Sequence, residues 1–189
     1  MAPILVRSAL LVVVTLLLPF LAGCSGLIGD QREQANDSLT RANAAIDEHN
    51  RLFKEARSTY QEAKKAVETE DDPSGEGQRF TQTRENMEEA RGNLSRAKSP
   101  LAEIQNLNVE PEIKEYAGLL SEAMDTQIAA EDREMDFYRI LESDPSLEND
   151  RRNALDILKE VDDGYQKAKD TYGRAQELAD ANPGLIKGS

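Results

Sequence analysis

The feature that most constrains this chain is a spacing. Seam residues recur at Leu39, Ala42, Ile46, His49, Phe53, Ala56, Tyr60, Ala63 and Val67, in alternating steps of three and four. That period holds one stripe of a helix on one side over many turns. It is the spacing of helices that pack side by side with a slight left-handed twist. The alternation returns at Phe80, Thr83, Met87, Ala90, Leu94, Ala97, Leu101 and Ile104. It returns again at Ala154, Leu158, Val161, Tyr165, Ala168, Tyr172, Ala175 and Ala179. Beyond the N-terminal segment there are no alternating runs or β-branched clusters, and so no strand signal.

Turn residues divide the pattern into four helices, expected at 30–70, 78–105, 111–143 and 145–182. Asp30 with Glu33 reads as an N-cap and its capping glutamate. Pro73, Gly75 and Gly77 end the first helix. Pro100 falls inside the second helix while the period passes through it, which reads as a kink, or as a break and restart capped by Ser99. Pro111 suits the first position of the third helix, and Asp144-Pro145 reads as the same cap-then-proline opening for the fourth. Asn182-Pro183-Gly184 closes the fourth and leaves 183–189 as a tail. Short connections make successive helices antiparallel. The expected fold is therefore all-α, an elongated antiparallel four-helix bundle running up-down-up-down. The outer helices should reach roughly 60 Å at the helical rise. The same seams would also serve a homodimer of helical hairpins.

The N-terminal segment has a different character. One charge, Arg7, precedes Ala9–Ala22, a run of 14 uncharged residues whose only polar side chain is Thr15. A run of ~10–14 apolar residues is too short to span a bilayer and suits a signal peptide. It ends in Leu21-Ala22-Gly23-Cys24. This box resembles the lipobox of bacterial lipoproteins, and some archaeal ones are similar. The resemblance covers residues 1–24. It implies removal of 1–23 by cleavage between Gly23 and Cys24, and a diacylglyceryl thioether on the Cys24 sulfur. Residues 24–29 would form a short tether. Two or three acyl chains, palmitate among them, would hold the mature protein on the outer face of a membrane. The 166 residues from Cys24 onward carry 22 basic and 36 acidic side chains, a net charge of −14.

Composition excludes several chemistries. One cysteine cannot form an internal disulfide, and one cysteine with one histidine cannot build a Cys₄ or Cys₂His₂ zinc site. The negative charge argues against a nucleic-acid partner. No nucleophile elbow or phosphate-cradling glycine loop is present. Bundle metal sites place a glutamate three residues before the histidine, whereas Ile46 precedes His49. His49 sits in the seam, where a polar or tyrosine partner across the core is expected. The chain reads as a non-enzyme, with no metal and no cofactor beyond the covalent lipid.

The third helix stands apart. Residues 106–144 hold 11 acids against Lys114, Arg133 and Arg139. Glu131, Asp132, Glu134 and Asp136 form the densest run, expected either as a docking face for a basic protein partner or as a plain solvated face. Two apolar stripes compete on this helix. One runs Tyr116, Leu120, Ala123, Ala130, Phe137 and Leu141, with Gln127 and Glu134 falling inside it. The other runs Ile113, Ala117, Leu120, Met124, Ile128, Met135 and Tyr138. So wide a face either packs against two helices or leaves a strip for a partner. The functional expectation is a lipid-anchored helical module that binds a partner or acts as a spacer. The alternative is a ligand-binding or sensory bundle whose tyrosines line a cavity.

Overall fold

A computed structural model describes residues 28–69 and 73–183. The signal segment, Gly23 and Cys24, and the tail beyond residue 183 lie outside the described residues. Four helices follow one another: α1 (Ile28–Thr69), α2 (Gly77–Ile104), α3 (Pro111–Ser143) and α4 (Arg151–Ala181). A single 3₁₀ turn, Pro73–Glu76, leads into α2, and there is no strand among the described residues.

Two apolar clusters fix the direction of each helix. One joins Ala35, Leu39 and Ala42 of α1 to Leu101 and Ile104 of α2, Ile113 and Leu120 of α3, and Ala175 and Ala179 of α4. The other joins Ala56, Tyr60 and Ala63 to Phe80 and Met87, Phe137 and Leu141, and Ala154 and Val161. Starts of odd helices thus meet ends of even ones, which is the up-down-up-down bundle. Tyr60 anchors the second cluster, with the rings of Phe80, Phe137 and Tyr138 5.5–6.2 Å from its own.

The wide face of α3 is used from within. Both of its stripes are buried, apart from Ile128 and Gln127, which are partly so. The reason is its position: α3 packs closely on α2 and on α4 and reaches α1 through long side chains. Small residues permit the close approaches. A Cβ on Gly164 would stand 2.8 Å from the Ala130 Cβ, and one on Gly77 would stand 2.7 Å from the Glu142 carbonyl oxygen. The α1–α4 edge is wider and is bridged by side chains, Phe53 meeting Tyr165 edge-on at 6.0 Å. The buried stripe of α4 is accordingly turned toward α3, through Ile157, Val161, Ala168 and Thr171. Leu158, Tyr165 and Tyr172 are left half-buried.

Three local expectations change. Helix α1 begins at Ile28, so Asp30 lies inside it rather than capping it. Helix α2 runs unbroken through the buried Pro100, without the restart at Ser99. Helix α4 begins at Arg151, not at Pro145. The Asp144 carboxylate instead accepts the backbone N–H groups of Glu148, Asn149 and Asp150 at 2.8–3.2 Å, closing a loop. Within that loop Leu147 adopts a left-handed φ of 55°, which a helix cannot accommodate.

Candidate functional site

Between the two apolar clusters lies a layer of polar side chains drawn from α1, α3 and α4. It has two connected halves. In the first, His49 of α1 is 2% exposed and Glu131 of α3 fully buried, with Nε2 and Oε1 2.7 Å apart. The Gln127 amide donates to the same Oε1 at 2.9 Å. The Tyr172 hydroxyl of α4 donates in turn to the Gln127 carbonyl oxygen at 3.0 Å. On the other side of the imidazole, Nδ1 lies 3.2 Å from Oδ1 of Asn50. The second carboxylate oxygen of Glu131 has no partner.

The second half is centred on Glu134, whose side chain is 2% exposed. Arg57 of α1 grips it in bidentate fashion, Nη1 to Oε1 at 2.7 Å and Nη2 to Oε2 at 2.9 Å. The Tyr165 hydroxyl donates to Oε2 at 2.7 Å, and the Tyr138 hydroxyl donates to Oε1. The guanidinium also lies over Phe53, 4.9 Å from the ring centroid. Charge-assisted and bidentate bonds of this kind are the strong ones. Burial pushes the Tyr138 and Tyr165 phenols well above their ordinary range, and the Glu134 charge adds to it. Burial alone would pull the Arg57 guanidinium down, but Glu134 outweighs it and holds the group fully charged.

This arrangement corrects the reading of the acidic run. Glu131 and Glu134 are not on a surface; they point into the core. Asp132 and Asp136 do face outward, but both are already engaged. Asp132 pairs with Arg91 of α2 at 2.6 Å. Asp136 pairs with Arg133 at 2.7 Å and Arg139 at 2.5 Å. The four residues therefore form no common docking face. Helical periodicity explains the split, because positions three apart share a side of the helix while their immediate neighbours turn away. His49 does have a partner across the core, a carboxylate rather than a hydroxyl. Sequence reasoning passed over Arg57, although the cation stands one turn from the seam residue Phe53.

The layer ties α1, α3 and α4 together. Both oxygens of Glu134 and one of Glu131 are taken up by donors of the chain itself, and no three histidine, cysteine or acidic side chains group as a metal ion would need among the described residues. A groove of about 620 Å³ runs elsewhere, between α2 and α3, bordered by Leu101, Gln105, Lys114, Gly118, Ser121 and Asp125. Gln105 and Lys114 exchange hydrogen bonds with each other's carbonyl oxygens, at 2.8 and 3.1 Å. The chain matches no family model, no curated protein and no solved structure.

Proposed function

We propose that this protein is a lipid-anchored spacer or partner-presenting module on the outer face of a cell membrane, and not an enzyme. The observation that carries the reading is the meeting of Leu21-Ala22-Gly23-Cys24 with a helix that begins at Ile28. Three residues, 25–27, separate the acylated cysteine from the bundle, and a fully extended chain of that length reaches only ~14 Å. Two further observations support it. Leu155 is the sole exposed large hydrophobic side chain among the described residues. No described helix is long and apolar enough to cross a membrane.

On this reading the bundle has a near pole and a far pole. The near pole holds the start of α1, the α2–α3 turn and the end of α4. The far pole holds the α3–α4 loop, a full α1 length away, or ~63 Å for 42 residues at the helical rise. The mechanism is mechanical: the lipid fixes one pole, and a stiff polar-surfaced rod holds the other at a set height. Cell fractionation of the Cys24→Ser variant tests it, together with mass spectrometry of the mature N-terminus. Release of the variant, and a diacylglyceryl cysteine on the native protein, are expected. Membrane retention of the variant with residues 1–23 still attached would overturn the reading in favour of an uncleaved anchor.

A further inference from the structure

We infer that α4 carries a self-complementary docking face, on which a second copy of this chain seats its own α4 antiparallel. The face is marked by charges that the bundle leaves over. Arg151 and Arg152 open the helix, both exposed, and neither side chain makes an ion pair or hydrogen bond among the described residues. Every other described arginine is held by a side chain of the bundle, an acid in each case except Arg96, which donates to Asn93. Two arginines also sit poorly at a helix start, where the peptide dipoles present partial positive charge and favour acids. The first turn of α4 has no acid, and no side chain caps it. One turn on stands Leu155, 42% exposed, the sole exposed large hydrophobic side chain among the described residues.

The matching acids lie on the same helix. Asp162 and Asp163 are exposed and equally without a partner among the described residues. Each follows its arginine by eleven residues, Arg151 to Asp162 and Arg152 to Asp163. Eleven residues turn a helix only ~20° past three whole turns, so acids and bases share one side. They stand about 16.5 Å apart along the axis, too far to meet within one helix. A two-fold axis at the level of residue 157 removes that distance. It sets Arg151 against Asp162 of the second copy and Arg152 against its Asp163, and does so twice by symmetry. The same rotation lays the aliphatic stem of Lys159 over Leu155 of the second copy. It also brings two carboxylates to the bare start of each α4.

The pattern selects its occupant. An acidic partner would answer the arginines and leave the two aspartates, and a basic partner would do the reverse. Only a face met by itself answers both. No described element competes for it, because the buried stripe of α4, through Ile157, Val161 and Ala168, is the side turned into the bundle. The start of α4 belongs to the pole formed by the α3–α4 loop. Two paired copies therefore overlap by their tips, and the rest of each rod runs the opposite way. On the lipid-anchored reading, on which this one consequence rests, the paired copies stand in membranes that face each other.

Exposed ion pairs are individually weak and screened by salt, so the contact is a weak one that low salt favours. Intact chains bearing two different tags, extracted in neutral detergent and held at about 0.1 mM, test it by capture of one tag through the other. The native chain should capture itself, and raising the salt from about 0.05 to 0.5 M should cut that capture about tenfold. Arg151→Asp/Arg152→Asp makes the face wholly acidic, and Asp162→Arg/Asp163→Arg makes it wholly basic. Each double variant should lose self-capture by about tenfold or more, while a mixture of the two should capture as the native chain does. That recovery also shows both variants folded. No self-capture of the native chain at low salt, self-capture that ignores salt, or full self-capture by either variant would overturn the inference. So would a failure of the two variants, each with native helical circular dichroism, to capture one another. Capture in detergent does not involve the anchor, so a negative result leaves the lipid reading standing.

Discussion

Replacing Arg57 by leucine would measure how strongly the polar layer holds the bundle together. The substitution roughly preserves the apolar stem and removes the charge. Glu134 would then keep two tyrosine hydroxyls but no cation, with its side chain 2% exposed. Breaking a buried ion pair by removing one partner costs about 3–5 kcal/mol. The Arg57 side chain is 24% exposed, so water softens the loss toward the lower figure, ~3 kcal/mol. Loss of the contact with Phe53 adds roughly 0.5–1 kcal/mol. For a domain of this size the total is a fall of about 7–15 °C in melting temperature. Urea unfolding followed by helical circular dichroism would measure it. Removing Glu134 as well should recover only part of the loss, because the Tyr138 and Tyr165 hydroxyls would then lack an acceptor. Adding Tyr138→Phe and Tyr165→Phe should recover most of the rest. An Arg57→Leu cost within ~0.5 kcal/mol, the scale of a surface pair, would refute the reasoning by showing that Glu134 is solvated.

Gly164→Ala should destabilise by about 1–3 kcal/mol, since its Cβ would stand 2.8 Å from that of Ala130 and the α3–α4 interface must part to admit it; urea midpoints decide this. Alkaline titration read by phenolate absorbance should show few tyrosines ionising at pH 10. Burial holds Tyr60 and Tyr116 up at about 12, and Tyr138 and Tyr165 higher still. Unfolded tyrosine ionises near pH 10, so the stability held by neutral buried phenols is complete below that pH. It is lost as pH rises through 12, and the bundle should unfold cooperatively in that window. Asp132→Asn should cost under about 1 kcal/mol, because its pairing with Arg91 is half-exposed, and a loss comparable to that of Arg57→Leu would contradict the division of the acidic run.

The architecture was legible because the seam spacing survives almost unbroken along three helices. The position of Glu134 was legible too. One stripe of α3 already put it inside the seam, seven residues from Gln127, while the charge count drew it outward with its neighbours. Position outweighs composition here, because a carboxylate goes wherever a guanidinium and two phenols can satisfy it. The identity of those donors could not be read, since Arg57, Tyr138 and Tyr165 lie on two helices besides its own or a turn away, and nothing local pairs them. The start of α4 was misread for a local reason. Asp-Pro followed by polar residues describes a cap and a compact loop equally well, and only the left-handed Leu147 distinguishes them.

One line of the α1 seam is nearly degenerate, although the other, Leu39, Ile46, Phe53, Tyr60 and Val67, is not. Ala35, Ala42, Ala56 and Ala63 recur at multiples of seven, so along this line a slip by one repeat would set alanine against alanine's neighbours. His49 occupies the single gap in that ladder, and a one-repeat slip would put Ala42 or Ala56 opposite Glu131. Seven residues of slip is about 10.5 Å along the axis. In a rod held, as proposed, by the start of this helix, the imidazole therefore acts with Tyr60 and Arg57 as an index mark, one that fixes a single length.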